Sequence, residues 1–344
     1  MLNFVTLFDK NYLSRGLALL QSLKKHCKES FTLYILAMDE KVRDYFDTRE
    51  NDNVVCFTVD DMIAYYPVLA KIKEERTRGE FCWTLSSFSI QYTIKYYNLD
   101  ACTYLDSDLC FWSDPKLLLD EMGNASVFIT EHNYSSDCDT APLTGKYCVQ
   151  FMCFKNNDDG NKVLEWWRNK CEEWCFNRME DGKFGDQKYL DDWESRFEGI
   201  VYNCKNIGCG LAPWNCQKFN VVNDNKILYV EDKISKVKRK MIFYHFHNLH
   251  KLKNDRWSLS NYKLTSDVIK LYKIYICRLN YIEARLPIEL RSKEDDIKDL
   301  KEKMKIPRSI YGGFKHIFYL FSRISEVEKN VLFFRNDVKK ETIV

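Results

Sequence analysis

The sequence predicts an α/β protein with a mostly parallel central sheet, helices on both faces of that sheet, and a helical C-terminal extension. In its first third, short apolar runs alternate with segments whose apolar residues recur at helical spacing. This alternation is typical of parallel strands joined by crossover helices. With 344 residues, 45% of them hydrophobic and 15% aromatic, the chain can form one large domain with an appendage.

The apolar runs predict strands and the periodic segments predict helices. Residues 31–37 (FTLYILA) and 54–59 (VVCFTV) are rich in the β-branched and aromatic residues that favour strands. Leu17, Leu20 and Leu23 recur on one side of a predicted helix. By these criteria, strands are expected at residues 3–8, 31–37, 54–59, around 104, at 126–130, 149–154 and 241–246. Helices are expected at residues 14–26, 41–46, 84–97, 163–175, 268–286 and 294–304, and one more is expected to open after Gly185.

Composition argues against several classes of protein. The chain has no run of about eighteen uncharged apolar residues, so no membrane span is predicted. Its N-terminus lacks a basic region and a small-residue cleavage site, and we interpret it as the first strand rather than a signal peptide. The 14 cysteines are scattered without paired zinc-ligand spacing, which indicates reduced thiols. The predicted location is therefore the cytoplasm.

The two parts of the chain differ in charge. Residues 233–344 hold 26 basic and 13 acidic residues, whereas residues 1–232 hold 26 basic and 37 acidic residues. We predict an α/β domain over residues 1–255 and a basic helical region over residues 256–344. Within the basic region, residues 310–324 have the pattern of an amphipathic helix, which would lie on an anionic membrane surface. The alternative is a helix packed on the α/β domain or on another copy of the chain in a homo-oligomer.

The stretch Asp106-Ser107-Asp108 follows a predicted buried strand. Side chains two residues apart in an extended segment point the same way, so both carboxylates are expected to face one point. Carboxylates this close repel each other unless a cation lies between them. Mg²⁺ and Mn²⁺ prefer such ligands together with substrate phosphates. The alternative is a plain turn or a helix cap.

A histidine cluster lies at residues 245–250. His245 and His247 share one face of a predicted strand, and a neutral imidazole can complete a metal site begun by two carboxylates. His247, His250 and Lys251 can contact phosphate oxygens. The alternatives are solvated loop histidines, or an all-histidine zinc site, which would lack the usual motif.

Two further loops carry candidate binding residues. Asp186 and Gln187 stand at a predicted helix start, where an acid and an amide can contact a polar substrate, although a helix cap is the simpler interpretation for Asp186. In the loop after the first strand, which runs from Thr6 to Tyr12, Asp9 can accept a hydrogen bond from a base or ribose and Tyr12 can stack on a base. The alternative there is an ordinary strand–turn–helix connection.

Together and in this order, these motifs resemble the GT-A glycosyltransferases, most closely the retaining enzymes of family eight, such as glycogenin and bacterial lipopolysaccharide galactosyltransferases. The resemblance covers residues 1–255 and implies a nucleotide-sugar-binding catalytic domain. It departs at residues 145–151, where Cys148 and Gln150 stand in a segment that usually holds an Asn-Ala-Gly-like triplet. It departs again at residues 248–252, where the usual Gly-x-x-Lys-Pro-Trp is altered.

The resemblance implies a role for each candidate residue. Asp106, Asp108 and His245 would hold Mn²⁺ or Mg²⁺ against the diphosphate of a UDP-sugar. The nucleoside would lie on the first-strand loop, and the sugar would contact Asp186 and Gln187. The residues implied to bind the donor are Phe8, Asp9, Tyr12, Asp106, Ser107, His247, His250 and Lys251.

The implied reaction is transfer of a sugar to an acceptor hydroxyl with retention, in the synthesis of a cell-surface polysaccharide, lipopolysaccharide or glycoconjugate. The acceptor would be a saccharide, a lipid-linked saccharide or a protein. Two alternatives remain, a metal-dependent phosphoesterase and a non-catalytic protein that binds a membrane surface. No nucleic-acid-binding motif is present, so a nucleic-acid partner is not predicted.

Overall fold

The computed structural model describes residues 1–49, 51–300, 326–327 and 329–333. Within them the strands are β1 Leu2–Phe8, β2 Phe31–Ala37, β3 Val54–Thr58, β4 Ala101–Leu105, β5 Leu109–Phe111, β6 Val127–Glu131, β7 Tyr147–Lys155, β8 Val201–Asn203, β9 Phe219–Asp224, β10 Ile227–Asp232, β11 Lys238–Lys240, β12 Phe243–His245, β13 His250–Leu252, β14 Arg256–Ser258 and β15 Val331–Phe333. The α-helices are α1 Leu13–His26, α2 Glu40–Asp47, α3 Val59–Tyr65, α4 Val68–Glu75, α5 Arg78–Tyr96, α6 Lys116–Glu121, α7 Ala141–Thr144, α8 Asp158–Glu173, α9 Trp193–Arg196 and α10 Ser266–Glu283.

Seven strands form the central sheet, in the order β3-β2-β1-β4-β7-β6-β8. Strand β7 is antiparallel to both of its neighbours, and the other pairings in this sheet are parallel. Alternate residues of a strand serve opposite faces, so Phe4 packs into one hydrophobic core and Val5 into the other. Helices α1 and α10 cover the first face, whereas α5 and α8 cover the second. The predicted mostly parallel sheet with helices on both faces is confirmed.

The strand predicted at 241–246 does not join the central sheet. It forms β12, which pairs antiparallel with β5 so that His245 lies opposite Leu109. Strand β5 follows β4 after a short connection, so its pairing with β12 sets the geometry of the site described below. The structure also contains an antiparallel sheet of β9, β10 and β11, which the sequence analysis did not predict.

Several helices differ from prediction, and α8 begins at Asp158 rather than at residue 163. Helix α5 begins at Arg78 rather than residue 84, because Thr77 and Glu80 form a capping box, in which each side chain binds the other residue's backbone N–H. The helix expected after Gly185 is only a 3₁₀ turn over Lys188–Leu190.

The C-terminal region is partly described. Helix α10 packs against α1 in the same core, and the pair β13–β14 spans the boundary predicted at residue 255. Strand β15 adds to β14. Of the helix predicted at 294–304, the described residues include a helical turn over residues 297–300. The amphipathic segment 310–324 lies outside the described residues. Among the described helices, none combines the length and apolarity needed to cross a bilayer. All 14 cysteines lie within the described residues, and none of them forms a disulfide.

Gly160 is expected to resist substitution. It lies in the first turn of α8, where an added Cβ would come 2.1 Å from the Lys155 carbonyl oxygen. We expect Gly160→Ala to destabilise the protein by roughly 1–3 kcal/mol, although alanine favours helices, because a backbone atom cannot yield as a side chain can. Chemical denaturation measures the effect. The matched control is Gly79→Ala in α5, where nothing lies within 4 Å of the added Cβ and no loss of stability is expected.

Candidate metal and substrate site

Asp106 and Asp108 lie in the short connection between β4 and β5. Residues 107 and 108 form a turn there, so the carboxylates do not converge through an extended segment as predicted. The backbone N–H of Asp106 donates to the Gln150 carbonyl oxygen at 3.0 Å, and the N–H of Phe246 donates to the Asp108 carbonyl oxygen at 3.1 Å. The turn is thus fixed on one side by β7 and on the other by the chain after β12.

His245 completes the group from β12. Its Nε2 lies 3.0 Å from Asp108 Oδ1 and 3.8 Å from Asp106 Oδ2. One ligand atom from each of the three residues can be chosen so that all lie within 4.8 Å of one another. His245 and Asp108 are buried, and Asp106 is partly exposed. Among the described residues, this is the three-ligand group whose geometry suits a metal ion.

The electrostatics of the group favour a cation. Burial raises the pKa of Asp106, and the neighbouring Asp108 carboxylate raises it further. Burial would lower the pKa of His245, but Asp108 and Asp106 beside it raise that pKa well above its usual range. Both shifts reflect negative charge concentrated at this point, which a cation offsets. Two carboxylates and an imidazole form a suitable ligand set for Mn²⁺ or Mg²⁺, so the residues present fit the predicted ion.

A buried hydrogen-bond chain orients the imidazole. His245 Nδ1 lies 2.9 Å from Gln150 Oε1, and Gln150 is fully buried. Gln150 Nε2 donates to Thr130 Oγ1 at 3.2 Å, and the Thr130 hydroxyl donates to the Cys148 carbonyl oxygen at 3.3 Å. Because a carbonyl can only accept, the chain has one direction, and Gln150 presents its oxygen to His245. Nδ1–H then donates to Gln150, and Nε2 faces the carboxylates.

A cavity of about 560 Å³ opens over the three ligands. Ten of the sequence-predicted residues line it: Phe8, Asp9, Tyr12, Asp106, Ser107, Asp108, Asp186, Gln187, His245 and His247. The structure thus brings together the first-strand loop, the metal group and the acid–amide pair.

Asp9 stabilises the turn in which it lies, in addition to its predicted contact with a base or ribose. Its Oδ1 accepts from the backbone N–H groups of Asn11 and Tyr12 at 2.8 and 3.2 Å, which is the turn-capping alternative. Its Oδ2 lies 2.6 Å from a guanidinium nitrogen of Arg78, which also lines the cavity. Arg78 was not predicted to line the site. The capping box of Thr77 and Glu80, which begins α5 at Arg78, is the sequence feature that could have placed it there.

Asp186 and Gln187 lie on the cavity wall. Burial raises the pKa of Asp186 to about 7, and the charge of Asp106 contributes to that shift. The Asp186 backbone carbonyl accepts from Trp167 Nε1 at 2.9 Å, which ties the residue to α8. Gln187 Nε2 donates to the Thr144 carbonyl oxygen at 2.8 Å. The backbone of Asp186 and the side chain of Gln187 are thus both held by the protein.

His250 and Lys251 are not among the described residues that line the cavity. His250 Nδ1 lies 2.8 Å from Asp295 Oδ2, and its Nε2 lies 2.8 Å from Asn248 Oδ1. Lys251 Nζ lies 3.7 Å from Glu283 and 3.8 Å from Glu294. Acidic groups of the C-terminal region therefore hold both side chains, and the predicted diphosphate contacts would require them to leave these partners.

An aromatic wall that the sequence analysis missed closes another side of the cavity. Its lining residues are Tyr134, Trp214 and Tyr262, together with His132 and Asn261. The His132 ring stacks on Tyr134 with centroids 4.7 Å apart, and Trp214 packs edge-on to His245 at 5.2 Å. These residues lie on segments that are far apart in the chain, and no motif spacing links them. The sequence alone therefore could not predict that they line one wall of the cavity.

His132 is expected to make stability depend on pH. Burial lowers its pKa to about 3, so the unfolded chain binds a proton more readily than the folded protein. Stability attributable to His132 is therefore present above its unfolded pKa of about 6.5 and is lost as pH falls below that value. Between pH 7 and pH 5, the free energy of unfolding of His132→Gln is expected to fall by about 2 kcal/mol less than that of the wild type. Chemical denaturation across this pH range measures the difference. Parallel pH curves for the two proteins would contradict this.

Comparisons with known proteins give relatives without an assigned activity. No protein-family model matches the chain. The uncharacterized protein YfnD of Bacillus subtilis (strain 168) is 27% identical, over 80% of this chain and 86% of its own length. The uncharacterized protein YfnF of the same strain is 29% identical, over 71% of this chain and 80% of its own length.

Solved structures show a weak similarity to this chain. An active-site mutant of LgtC matches with a TM-score of 0.45 and 14% identity, over 73% of this chain and 89% of that chain. Mouse xyloside xylosyltransferase 1 matches with a TM-score of 0.40 and 14% identity, over 62% of this chain and 87% of that chain. The low identities and TM-scores leave the activity of this chain to be argued from its own site.

Proposed function

We propose that this protein is a metal-dependent glycosyltransferase that moves a sugar from a nucleotide-diphosphate donor, a UDP-sugar, to an acceptor hydroxyl. One observation carries the proposal. Asp106, Asp108 and His245 converge within 4.8 Å at the wall of a cavity of about 560 Å³. That volume suits a nucleotide-sized ligand. A metal held by these three residues would supply positive charge to a diphosphate bound in the cavity.

The cavity wall offers a place for each part of the donor. Tyr12 and Phe8 present aromatic surface beside Asp9 for the nucleoside, and Arg78 adds positive charge at this end. Asp186 and Gln187 offer a carboxyl group and an amide for the sugar hydroxyls. The hydrogen bond to the Asp186 backbone carbonyl and the hydrogen bond from the Gln187 amide hold these two residues in position before the donor binds.

The hard step is departure of the nucleotide diphosphate. A bound Mn²⁺ or Mg²⁺ would supply positive charge to the leaving phosphate oxygens. Within the chain, Asp106, Asp108 and His245 fix where that charge lies. The buried Asp186, with its raised pKa, can hold a proton close to neutral pH and exchange hydrogen bonds with the sugar. Gln187 is a poor nucleophile, so we favour displacement from the front face, with retention of anomeric configuration.

A nucleotide-sugar screen tests the proposal. The full-length protein is incubated with UDP-, GDP- and CMP-sugars, with and without Mn²⁺, and both nucleotide release and thermal stability are measured. We expect one UDP-sugar to raise the melting temperature only when the metal is present, and to release UDP slowly. Hydrolysis of a simple phosphodiester without turnover of any nucleotide sugar would instead identify the phosphoesterase. The biosynthetic pathway, cell-surface polysaccharide or glycoconjugate synthesis, follows from the acceptor that accelerates UDP release.

A further inference from the structure

A basic segment stands out on the surface of the protein. Residues 233–240 form the turn after β10 together with strand β11, and all of them are exposed. We call this segment the basic hairpin. Residues 1–232 hold 26 basic and 37 acidic residues, so the hairpin follows an acidic part of the chain. It contains no acidic residue, and its cations are Lys233, Lys236, Lys238, Arg239 and Lys240.

Most of these charges have no counter-ion within the protein. Among the described residues, the one carboxylate within ion-pair distance of the hairpin is that of Asp224, whose Oδ2 lies 3.9 Å from Lys238 Nζ. Lys233 Nζ instead donates to the Gln217 carbonyl oxygen at 2.7 Å, and Arg239 donates to the Lys238 carbonyl oxygen at 3.2 Å. Because carbonyl groups carry no net charge, the hairpin presents a positive field to the solvent.

An isoleucine lies among these charges and is almost fully exposed. Ile234 is 94% exposed, and Val237 in the same turn is 40% exposed. The turn itself is ordered, because Asp232 Oδ1 accepts from the backbone N–H groups of Ile234 and Ser235 at 3.0 and 2.7 Å. The same oxygen accepts from the Ser235 hydroxyl at 2.9 Å. The protein thus holds an apolar side chain in water at the end of the hairpin.

The hairpin is anchored in the body of the protein. Strand β11 pairs with β10, from Lys238 opposite Glu231 to Lys240 opposite Tyr229. Val230 of β10 is buried in the hydrophobic core that α1 and α10 cover. A partner that binds the end of the hairpin would therefore orient the α/β domain as well.

The combination of charge and apolar surface indicates which partner fits. Lysines on an edge strand such as β11 can serve to prevent pairing between sheet edges, but this does not account for Ile234 in the turn. A nucleic acid or a soluble polyanion would contact the cations and leave the isoleucine in water. An anionic bilayer accommodates both, because cations lie at its charged surface while an apolar side chain enters the boundary between headgroups and acyl chains.

We propose that the basic hairpin docks the protein on an anionic membrane surface, with Ile234 inserted among the lipid headgroups and the cations beside their phosphates. This surface is separate from residues 310–324, the segment whose amphipathic pattern predicted a membrane contact. The proposal does not rest on the proposed glycosyltransferase function. Its test measures membrane binding and not sugar transfer, so the two can fail independently.

The test is co-sedimentation of the full-length protein with vesicles of phosphatidylcholine, alone or with about one third phosphatidylglycerol. We expect the wild type to bind only the anionic vesicles, and to bind them more weakly as the salt concentration rises. Ile234→Ser is expected to weaken binding about 10-fold. Each cation near such a surface contributes about fivefold, so an at least 100-fold loss is expected for the triple variant Lys236→Glu, Arg239→Glu and Lys240→Glu.

Matched controls separate the hairpin from net charge and exposed apolar area in general. The apolar control is Ile288→Ser, which replaces an isoleucine that is 79% exposed and lies outside the hairpin. The charge control reverses three exposed lysines on α2, α4 and α5, in the triple variant Lys41→Glu, Lys73→Glu and Lys95→Glu. Both controls are expected to bind within about threefold of the wild type, because charges far from the contact are screened by salt.

The replaced side chains are exposed, so all variants are expected to melt at the temperature of the wild type. If both hairpin variants bind anionic vesicles as tightly as their controls, the proposal is wrong. If the charge variant loses binding while Ile234→Ser binds like the wild type, the hairpin recognises negative charge alone, and membrane docking is also overturned. Failure of the wild type to bind anionic vesicles, or equal binding to both kinds of vesicle, would overturn it as well.

Discussion

Asp108→Asn is expected to reduce sugar transfer by roughly 100- to 1,000-fold and to abolish stabilisation of the protein by UDP together with Mn²⁺. Asp108 is buried and lies 3.0 Å from His245 Nε2, so both side chains belong to one charge cluster. Attraction to His245 overcomes the effect of burial and lowers the pKa of Asp108 to about 2. The carboxylate is therefore charged at neutral pH and available to a cation, whereas an amide of the same size offers one neutral oxygen.

The measurement is UDP release at saturating donor, with thermal shift across a Mn²⁺ titration. The matched control is Asp120→Asn, the same change on an exposed carboxylate of α6 that pairs with Lys116. The control is expected to retain full activity. Asp108→Asn activity within about threefold of the wild type, at the same Mn²⁺ requirement, would rule out this group as the metal site. Because Asp108 also compensates His245, the stability of both variants is compared first without metal.

The sequence predicted the alternation of the central sheet because strands and helices leave local periodic patterns. Each strand of β1–β3 was predicted to within about two residues, and α5 could have been placed earlier from the Thr77–Glu80 capping pattern. The β9–β11 sheet was missed because β11 is entirely basic and the apolar residues of β10 stand in one run, Ile227 to Val230, so they do not alternate with polar residues. A local sequence pattern thus predicts the secondary structure of its own segment, and it gives little information about contacts between distant segments.

The site depended on pairings that no local pattern reveals. Asp106 and Asp108 were recognisable from their position after a strand, but their convergence comes from a turn. His245 reaches them because β12 pairs with β5 across more than a hundred residues. The same limitation explains Lys251, whose spacing from His245 suggested a phosphate contact. Its observed partners, Glu283 and Glu294, lie on segments that no local pattern brings near Lys251.

Gln150→Leu is expected to weaken Mn²⁺ binding by roughly 10- to 100-fold, the usual effect of losing a partner that orients a metal-ligating histidine. Gln150 accepts from His245 Nδ1 at 2.9 Å, and its own amide is fixed by Thr130. Leucine fills similar space but cannot accept a hydrogen bond. The ring could then turn or adopt the other tautomer, in which Nε2 carries the proton and cannot bind the ion.

The measurement is the Mn²⁺ concentration required for half-maximal UDP release. Gln150→Glu serves as the conservative variant, because its oxygen still accepts from Nδ1–H, and we expect it to restore most of the affinity lost in Gln150→Leu. High Mn²⁺ should also recover the activity of Gln150→Leu, since the ligands themselves remain. Loss of activity in Gln150→Leu that saturating metal cannot correct, with an unchanged half-maximal concentration, would mean that Gln150 acts on the sugar. The hydrogen-bond chain from the Cys148 carbonyl through Thr130 to Gln150 instead supports a role in orienting His245. Within the described part of the chain, the Gln150 amide oxygen is paired with His245 Nδ1.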